Sequence, residues 1–519
     1  MELSASPVIR RRILTLWFAR LPTDRLQRQR CASPDDPPLV LSIKSNNARI
    51  LYAIDLKAAR LKLTPGMALA SARAMVRELA VVEADEPADA RLLAGIADWC
   101  DRFTPFVAID GLDGLLLDVT GATHLFGGEA AMLETVRASI ARQGFTVRAA
   151  LAGTAAAARA LARYADATIA VPGTEAEAVA FLPVAALDLD SKDTHALRRA
   201  GLKTIAQVAG RTRAELTARF GKEMVFKLER ALGQSEKPIS PRRILPDYMA
   251  EHRFAEPVTA EAVVADSILS LAGSLCSLLE ERGQGARALE ASFFRSDGAV
   301  SRIALETARP LRDPKIIARL FRDRLDALAD PIDPGFGFDL IRLGALHAER
   351  LVPESVGLDA RPDDAKEIAF LVDRLAARFG SHRILTFQPQ ETHIPEAAGV
   401  AVPAQHAPDT KLGWDARVPG EAPRRPLRMF AKPEPIEVMA QVPDGPPLRF
   451  RWRRALHAVT RAEGPERIAM EWWRNQKPQP TRDYFRVEDE GGKRFWLYRD
   501  GLYGREPFAP RWYVHGLFA

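Results

Sequence analysis

The stretch that most constrains this chain is Gly-Leu-Asp-Gly-Leu-Leu-Leu-Asp-Val-Thr-Gly, from Gly111 to Gly121. A short apolar run bounded by glycine and by a Val-Thr-Gly turn reads as a buried strand. Asp113 and Asp118 frame the run. Carboxylates in that position are what a hard, oxygen-seeking cation needs. The segment is therefore either a metal-holding catalytic strand or a strand that keeps its structural place without the chemistry.

Its surroundings alternate between strand and helix. Ile13 to Phe18 reads as a buried strand, and Leu39–Ile43 and Ala48–Ala53 pair around Ser45-Asn46-Asn47. Pro65-Gly66 breaks the chain ahead of helices over Ala68–Leu79 and Ala88–Phe103. After the strand-like Val107–Val119 come a helix over Ala130–Gln143, a strand over Thr146–Leu151 and an alanine-rich helix over Thr154–Tyr164. The pattern through residue 170 is that of an α/β or ferredoxin-like α+β domain. From Pro183, short helical segments broken at Gly201, Gly210 and Gly221 predict a small all-α domain, and Ser235–Pro246 reads as a linker. A long helix (Ala260–Arg282), two strands (Ala288–Phe294, Ser301–Glu306), a helix (Asp313–Leu328) and a strand (Phe338–Leu343) predict a second α+β domain. Residues 390–448 are proline-rich and read as loops, and the last seventy residues are dense in tryptophan, tyrosine and arginine.

A chain of 519 residues exceeds what one core supports, so three or four domains are expected. The formal net charge of +6 and a pI near 9.2 favour an anionic partner such as nucleic acid. Cys31, Cys100 and Cys276 lie far apart with no CxxC pair, which argues against a disulfide framework or zinc site and fits a reducing compartment. The apolar run after Arg10-Arg11-Arg12 is too short to span a bilayer and is cut by Arg20. A cytoplasmic protein is the expectation.

Several stretches together resemble the Y-family translesion DNA polymerases. Asp113-Gly-Leu-Leu-Leu-Asp-Val-Thr-Gly121 is similar to that family's palm signature, commonly Asp-Glu-Ala-Tyr-Leu-Asp-Val-Thr. Pro65-Gly66-Met67 resembles the Gly-Met turn of the fingers, and Leu182-Pro183-Val184 with Gly201-Leu-Lys-Thr204 resembles the thumb. Gly464-Pro-Glu-Arg-Ile468, Glu471-Trp-Trp-Arg474, Arg482-Asp-Tyr-Phe485 and Trp512-Tyr-Val-His-Gly-Leu-Phe-Ala519 resemble the tail of the Y-family-like members of bacterial inducible mutagenesis cassettes. The resemblance implies an α+β multidomain right hand with a C-terminal β-rich extension. Its parts would be palm and fingers over 10–180 (fingers about 25–95), a helical thumb over 181–238 and a little finger over 245–348. A linker region over 349–448, with one helix and proline-rich loops, and a C-terminal aromatic and basic module over 449–519 would follow.

Y-family polymerases hold two divalent cations between an Asp-x-Asp on the first strand and an Asp-Glu in the palm signature. Aligned on that pattern, Leu16 and Phe18 occupy the first pair, and Gly114 replaces the glutamate beside Asp113. Three of the four acidic positions are lost, which makes Asp113 vestigial and implies no catalytic residues, no metal and no cofactor. Asp118 matches a position that is not a ligand. Asp24 reads as a solvated or capping residue. The fingers' triphosphate-gripping Tyr-x-x-Arg becomes Leu56 and Ala59, with Arg60 one residue away. The alternative is an active polymerase with rearranged ligands and Mg2+.

A frame without its metals can still hold DNA through lysine and arginine on phosphates. Candidates are Lys203, Thr204, Arg211 and Arg213 in the thumb, Arg242 and Arg243 in the linker, and Arg295, Arg302 and Arg342 in the little finger. Leu448-Arg-Phe-Arg-Trp-Arg-Arg454 alternates apolar and cationic residues, as a strand with one basic face does. Trp472, Trp473, Tyr484 and Trp496 are partner-docking candidates in a small β-rich module. The resemblance implies a scaffold or adaptor in SOS-induced translesion synthesis. Its partners would be DNA, the sliding clamp, the RecA-like ImuA and an error-prone replicative-type polymerase. Val356 and Leu358, in Pro353-Glu-Ser-Val-Gly-Leu-Asp359, would anchor to the clamp through a degenerate motif lacking glutamine and the final aromatic.

Overall fold

The computed structural model describes residues 11–30, 33, 35–45, 48–166, 168–243, 246–351, 364–407, 413, 425–441, 443–474, 480–503 and 509–518. The chain divides into two compact units, Met1–Pro362 and Asp363–Ala519. Val356 and Leu358 lie outside the described residues.

The first unit opens with β1 (Ile13–Trp17), α1 (Leu21–Arg30), β2 (Leu39–Ser45), β3 (Ala48–Ile54), α2 (Leu56–Arg60), α3 (Leu69–Met75) and β4 (Ala80–Glu83). It continues through α4 (Glu86–Cys100), β5 (Val107–Asp110), β6 (Gly114–Asp118), α5 (Glu129–Arg142), β7 (Arg148–Ala152) and α6 (Ala155–Tyr164). Four helices follow: α7 (Glu175–Val179), α8 (Ser191–Arg199), α9 (Ile205–Ala209) and α10 (Arg213–Ala231). The unit ends with β8 (Tyr248–Val258), α11 (Glu261–Glu281), β9 (Gln284–Arg295), β10 (Val300–Leu311), α12 (Pro314–Asp326) and β11 (Phe338–Arg350).

The palm sheet has the order β5-β6-β1-β7, with β1 antiparallel to both neighbours. A strand buried on both faces needs no polar alternation, and β1 has none. Its Leu14 and Leu16, with Phe18 just beyond, enter one core with Leu115 and Leu117 of β6, Ile96 of α4 and Val136 of α5. On the opposite face, the alanine-rich α6 packs closely against Ala150 and Ala152 of β7 and joins the thumb core of Leu197, Ile205 and Leu228. A separate sheet, β3-β2-β4, forms the fingers. In the thumb, Thr204 and Thr212 each close a capping box at the start of α9 and α10.

The little finger is a sheet of order β10-β9-β11-β8 backed by α11 and α12. Strand β8 is an addition to the sequence reading. Its Tyr248–Val258 run is interrupted by Glu251, His252, Arg253, Glu256 and Pro257, so it lacks the apolar period that marked the other strands. Helix α11 is apolar over a length that could cross a bilayer, but Ile268, Leu271, Leu275 and Leu279 are its buried stripe within this domain.

The second unit contains α13 (Asp364–Phe379), the hairpin β12 (Leu385–Pro389) and β13 (Gly399–Pro403), and a closed antiparallel barrel. The barrel strands are β14 (Arg428–Ala440), β15 (Pro447–Trp452), β16 (Ala455–Ile468), β17 (Arg482–Asp489), β18 (Arg494–Asp500) and β19 (Arg511–Leu517), each paired with the next and β19 with β14. Phe450, Phe485, Phe495, Leu497 and Val514 fill its interior. The module therefore begins at Arg428 and not at residue 449. Pro433 and Pro435 hide β14 in the sequence, and the strand takes them by shifting register between Met429 and Glu434.

Candidate active site and nucleic-acid interface

The β5–β6 hairpin carries Asp110 and Asp113 to one end of the palm sheet, beside the end of the chain's first strand. Trp17 pairs in register with Gly114, and the Phe18 N–H donates to the Asp113 carbonyl at 2.8 Å. The side chain that meets Asp113 is neither Leu16 nor Phe18. Both are fully buried in the core shared with α4 and α5. It is Trp17, whose Nε1 donates to Asp113 Oδ2 at 2.8 Å. The other oxygen, Oδ1, accepts from Arg163 NH2 of α6, also at 2.8 Å. Four residues earlier on the same helix, Arg159 holds both oxygens of Asp110, with Nε at 2.6 Å from Oδ2, and reaches Asp188 Oδ2 at 3.0 Å. The i, i+4 spacing of Arg159 and Arg163 puts both on one helix face. That spacing was the sequence signal for them, and it was missed along with Trp17.

These residues do not fit a pair of divalent cations. Magnesium requires several anionic or neutral oxygens around each ion. Here each carboxylate of the hairpin already has a guanidinium, and no group of three or more acidic, histidine or cysteine side chains converges among the described residues. Asp118 caps the turn that follows, accepting from Thr120 N at 3.0 Å. Asp24 is neither solvated nor a cap. It is buried, and its Oδ2 accepts from Thr146 N at 2.7 Å, with burial pushing its pKa upward. Gly114 is also a steric necessity: a Cβ there would stand 2.8 Å from the Asp110 carbonyl oxygen. In the fingers, Leu56 begins α2 and is exposed, and Ala59 and Arg60 lie on the same short helix.

The nine DNA-binding candidates separate into two groups. In the thumb, the Lys203 and Thr204 N–H groups both donate to Gln207 Oε1, at 2.7 and 3.2 Å, while Thr204 Oγ1 accepts from Gln207 N. Thr204 is thus committed to its helix start, whereas the ends of Lys203 and Arg211 have no partner among the described residues. Arg213 pairs with Glu229 at 2.9 Å but stays two-thirds exposed. Between thumb and palm lies a cavity of about 410 Å3 whose polar wall includes Lys227, Arg230 and Lys237.

The linker and little-finger candidates are not free. Arg242 NH1 and Arg243 Nε each lie 3.0 Å from Asp98 Oδ1 of α4. Arg302 bridges Asp98 and Asp101, at 3.3 and 2.5 Å. Arg342 is buried, donates to the Asp101 carbonyl at 2.9 Å and pairs with Glu251 at 2.9 Å. Arg295 is held by Asp297 and Asp333. Burial pushes the Asp101 carboxyl up to about 6 despite its arginine neighbours. Asp98 and Asp101 had gone unnoticed, although acids at a helix C-terminus oppose the macrodipole and so ask for a compensating cation.

In the barrel, the four aromatic candidates also divide. Trp472 and Trp473 are 80% and 60% exposed and meet edge to face at 5.8 Å. Tyr484 and Trp496 are buried, stacked at 4.2 Å, with the His515 ring 5.3 Å from Trp496. Their face of the barrel is covered in part by Arg425, which lies over Trp496. In the segment 448–454, Phe450 points into the barrel, while Arg449 and Arg451 point outward and are exposed.

Residues 26–163 match the impB/mucB/samB family, and residues 246–360 match the C-terminal domain of that family. Protein ImuB of Caulobacter vibrioides (strain NA1000 / CB15N) is 42% identical over 466 residues, covering 88% of this chain and 99% of that protein. DNA polymerase IV of Alkalilimnicola ehrlichii is 28% identical over 277 residues, covering 52% of this chain and 73% of that enzyme. Among solved structures, an insertion ternary complex of Dbh DNA polymerase aligns with 66% of this chain and 100% of its own, at a TM-score of 0.40 and 13% identity. With palm, fingers, thumb, little finger and barrel in place, and near-complete coverage of the Caulobacter protein, the chain belongs to the ImuB family of Y-family polymerase-like proteins.

Proposed function

We propose that this chain is a non-catalytic, polymerase-like scaffold that binds DNA and recruits partner proteins during SOS-induced translesion synthesis. The observation that carries the reading is the Asp113 carboxylate, with both oxygens taken by Trp17 and Arg163. A guanidinium there supplies positive charge permanently, without a vacant coordination site, and so cannot activate a primer hydroxyl as a metal ion does. The exposed Lys203, Arg211 and Arg213 of the thumb would supply phosphate contacts without base specificity. The exposed Trp472–Trp473 pair would dock a protein, with the RecA-like ImuA, an error-prone replicative-type polymerase and the sliding clamp as candidate partners. Paired exposed tryptophans bring large apolar area to an interface at low entropic cost. The protein would act in the cytoplasm, at the nucleoid.

Primer extension with magnesium or manganese tests the non-catalytic part. The expected result is no template-dependent incorporation by wild type or by Asp113→Ala. Incorporation that Asp113→Ala abolishes would mean an active polymerase with rearranged ligands. Co-purification of candidate partners with wild type and with Trp472→Ala/Trp473→Ala tests the docking part, and equal recovery by both would remove the tryptophan pair from it.

A further inference from the structure

Arg302, Ser292, Arg342 and Glu251 are register partners across β10, β9, β11 and β8, so they form one row across the little-finger sheet. Phe293, the neighbour of Ser292, lines a cavity with Val264 of α11 and Leu325 of α12. Since successive side chains of a strand alternate between faces, the row lies on the face away from those helices. That open face rests on the end of palm helix α4. Besides the Asp98 and Asp101 contacts, Trp99 Nε1 donates to the Arg295 carbonyl at 3.2 Å, and Arg102 pairs with Asp339 at 2.9 Å. Little of the row is accessible: the Arg302 and Arg342 side chains are 12% and 10% exposed.

The charges explain why the contact forms. Within their own region, Arg242, Arg243, Arg302 and Arg342 face two carboxylates, Glu290, 3.4 Å from Arg302, and Glu251. Glu251 is also shared with Arg253. The positive charge left over is met by Asp98 and Asp101, which sit at the end of a helix where a carboxylate is unfavourable without such partners. A guanidinium fork binds a carboxylate and a phosphate by the same planar, bidentate donation. The two anions therefore compete for one surface.

We propose that Asp98 and Asp101 occupy this arginine row in the DNA-free protein as an intramolecular latch, which the phosphodiesters of duplex DNA displace. The proposal rests on the DNA-binding part of the function proposed above and adds its control. Binding exchanges two palm carboxylates for backbone phosphates and swings the open sheet face off α4. The arginines stay solvent-shielded and paired until the nucleic acid is present. An isolated basic patch would instead hold any polyanion.

The test is duplex binding by the full chain at several salt concentrations, for wild type and for Asp98→Asn/Asp101→Asn. Removing the competitor should tighten binding on the order of tenfold, the size of one partly buried charge pair, and Arg302→Ala in that background should reverse the gain. Affinity unchanged or weakened in the double variant, with wild type still binding, overturns the latch and leaves DNA binding intact. Absence of binding by wild type and variants alike at low salt overturns the DNA-binding reading itself. Hydrogen exchange on wild type is independent of how the variants fold. Saturating duplex should deprotect amides around residues 98–103 if the latch opens, and unchanged or increased protection there refutes it.

Discussion

Gly114 aligns with the glutamate of the Y-family palm signature, and its replacement gives the most direct test of how tightly the hairpin is packed there. A Cβ built at Gly114 meets the Asp110 carbonyl oxygen at 2.8 Å, the Asp110 Cβ at 3.3 Å and its Oδ2 at 3.4 Å. The nearest atom is backbone and cannot rotate away. It belongs to a residue paired with Gly114 across the hairpin and tied to Arg159 through both carboxylate oxygens. Relieving the overlap requires the hairpin to shift by roughly half an ångström, and forced overpacking of this kind costs about 1–3 kcal/mol. At about 1.4 kcal/mol per tenfold, local opening should rise roughly five- to 150-fold in Gly114→Ala. Hydrogen exchange of the β1 and β6 amides reads this directly. Gly95→Ala is the matched control: it lies exposed in α4 with nothing within 4 Å of a built Cβ. Removing a helix glycine there should stabilise by about 0.5–1 kcal/mol. Wild-type protection in Gly114→Ala would refute the steric argument. Polymerase activity in Gly114→Glu would refute it more severely, because the longer side chain carries the same Cβ.

The barrel gives three further expectations. Tyr484→Ala and Trp496→Ala should each cost about 3–5 kcal/mol, as for large buried aromatics, whereas Trp472→Ala and Trp473→Ala should stay within about 0.5 kcal/mol; urea unfolding curves separate the pairs. Asp483, fully buried, accepts from Arg499 at 2.6 Å and from Arg467 at 2.7 Å. Asp483→Ala leaves the buried Arg499 guanidinium with the exposed Asp444 as its remaining carboxylate and should cost about 3 kcal/mol; a much smaller loss would mean Asp444 and water suffice to compensate the charge. Burial pushes His515 down to about 4 from its ordinary 6.5. The unfolded chain therefore takes this proton first, so stability is full above 6.5 and falls as pH drops toward 4. The loss by pH 4.5 is about 2–3 kcal/mol, and urea midpoints at pH 7 and 4.5 should lose that part of their difference in His515→Gln.

What could be read in advance divides along physical lines. Glycine and proline breaks, apolar runs and their lengths are local signals, and they placed β1, α6, α11 and α12 within a few residues, while β9, β10 and β11 run four to seven residues beyond the expected bounds. Strands that are partly polar or carry proline gave no such signal. Tyr248–Val258 and Arg428–Ala440 become strands because neighbouring edges need partners, β11 in one case and the closing β19 in the other. Local propensity cannot register a demand made from ninety or so residues away.

The candidate site shows the same limit more sharply. Residue identity alone tells which positions carry a carboxylate that a hard cation could use. Which side chain of the first strand faces the hairpin was not legible, because β1 is buried on both faces and offers no alternation to fix its orientation. The structure turns Leu16 and Phe18 to the core and Trp17 to Asp113. Charge was harder still. Arg242, Arg243, Arg302 and Arg342 look in sequence like a DNA-binding set. Their occupation by Asp98 and Asp101 is set by tertiary placement across some 140 to 240 residues. Arginine–carboxylate pairing recurs at two points in the first unit: Arg163 meets Asp113 in the palm, and Asp98 and Asp101 meet arginines of the linker and little finger. On the proposed latch, the second pairing is reversible by mass action, because phosphate is a ligand of the same kind as carboxylate.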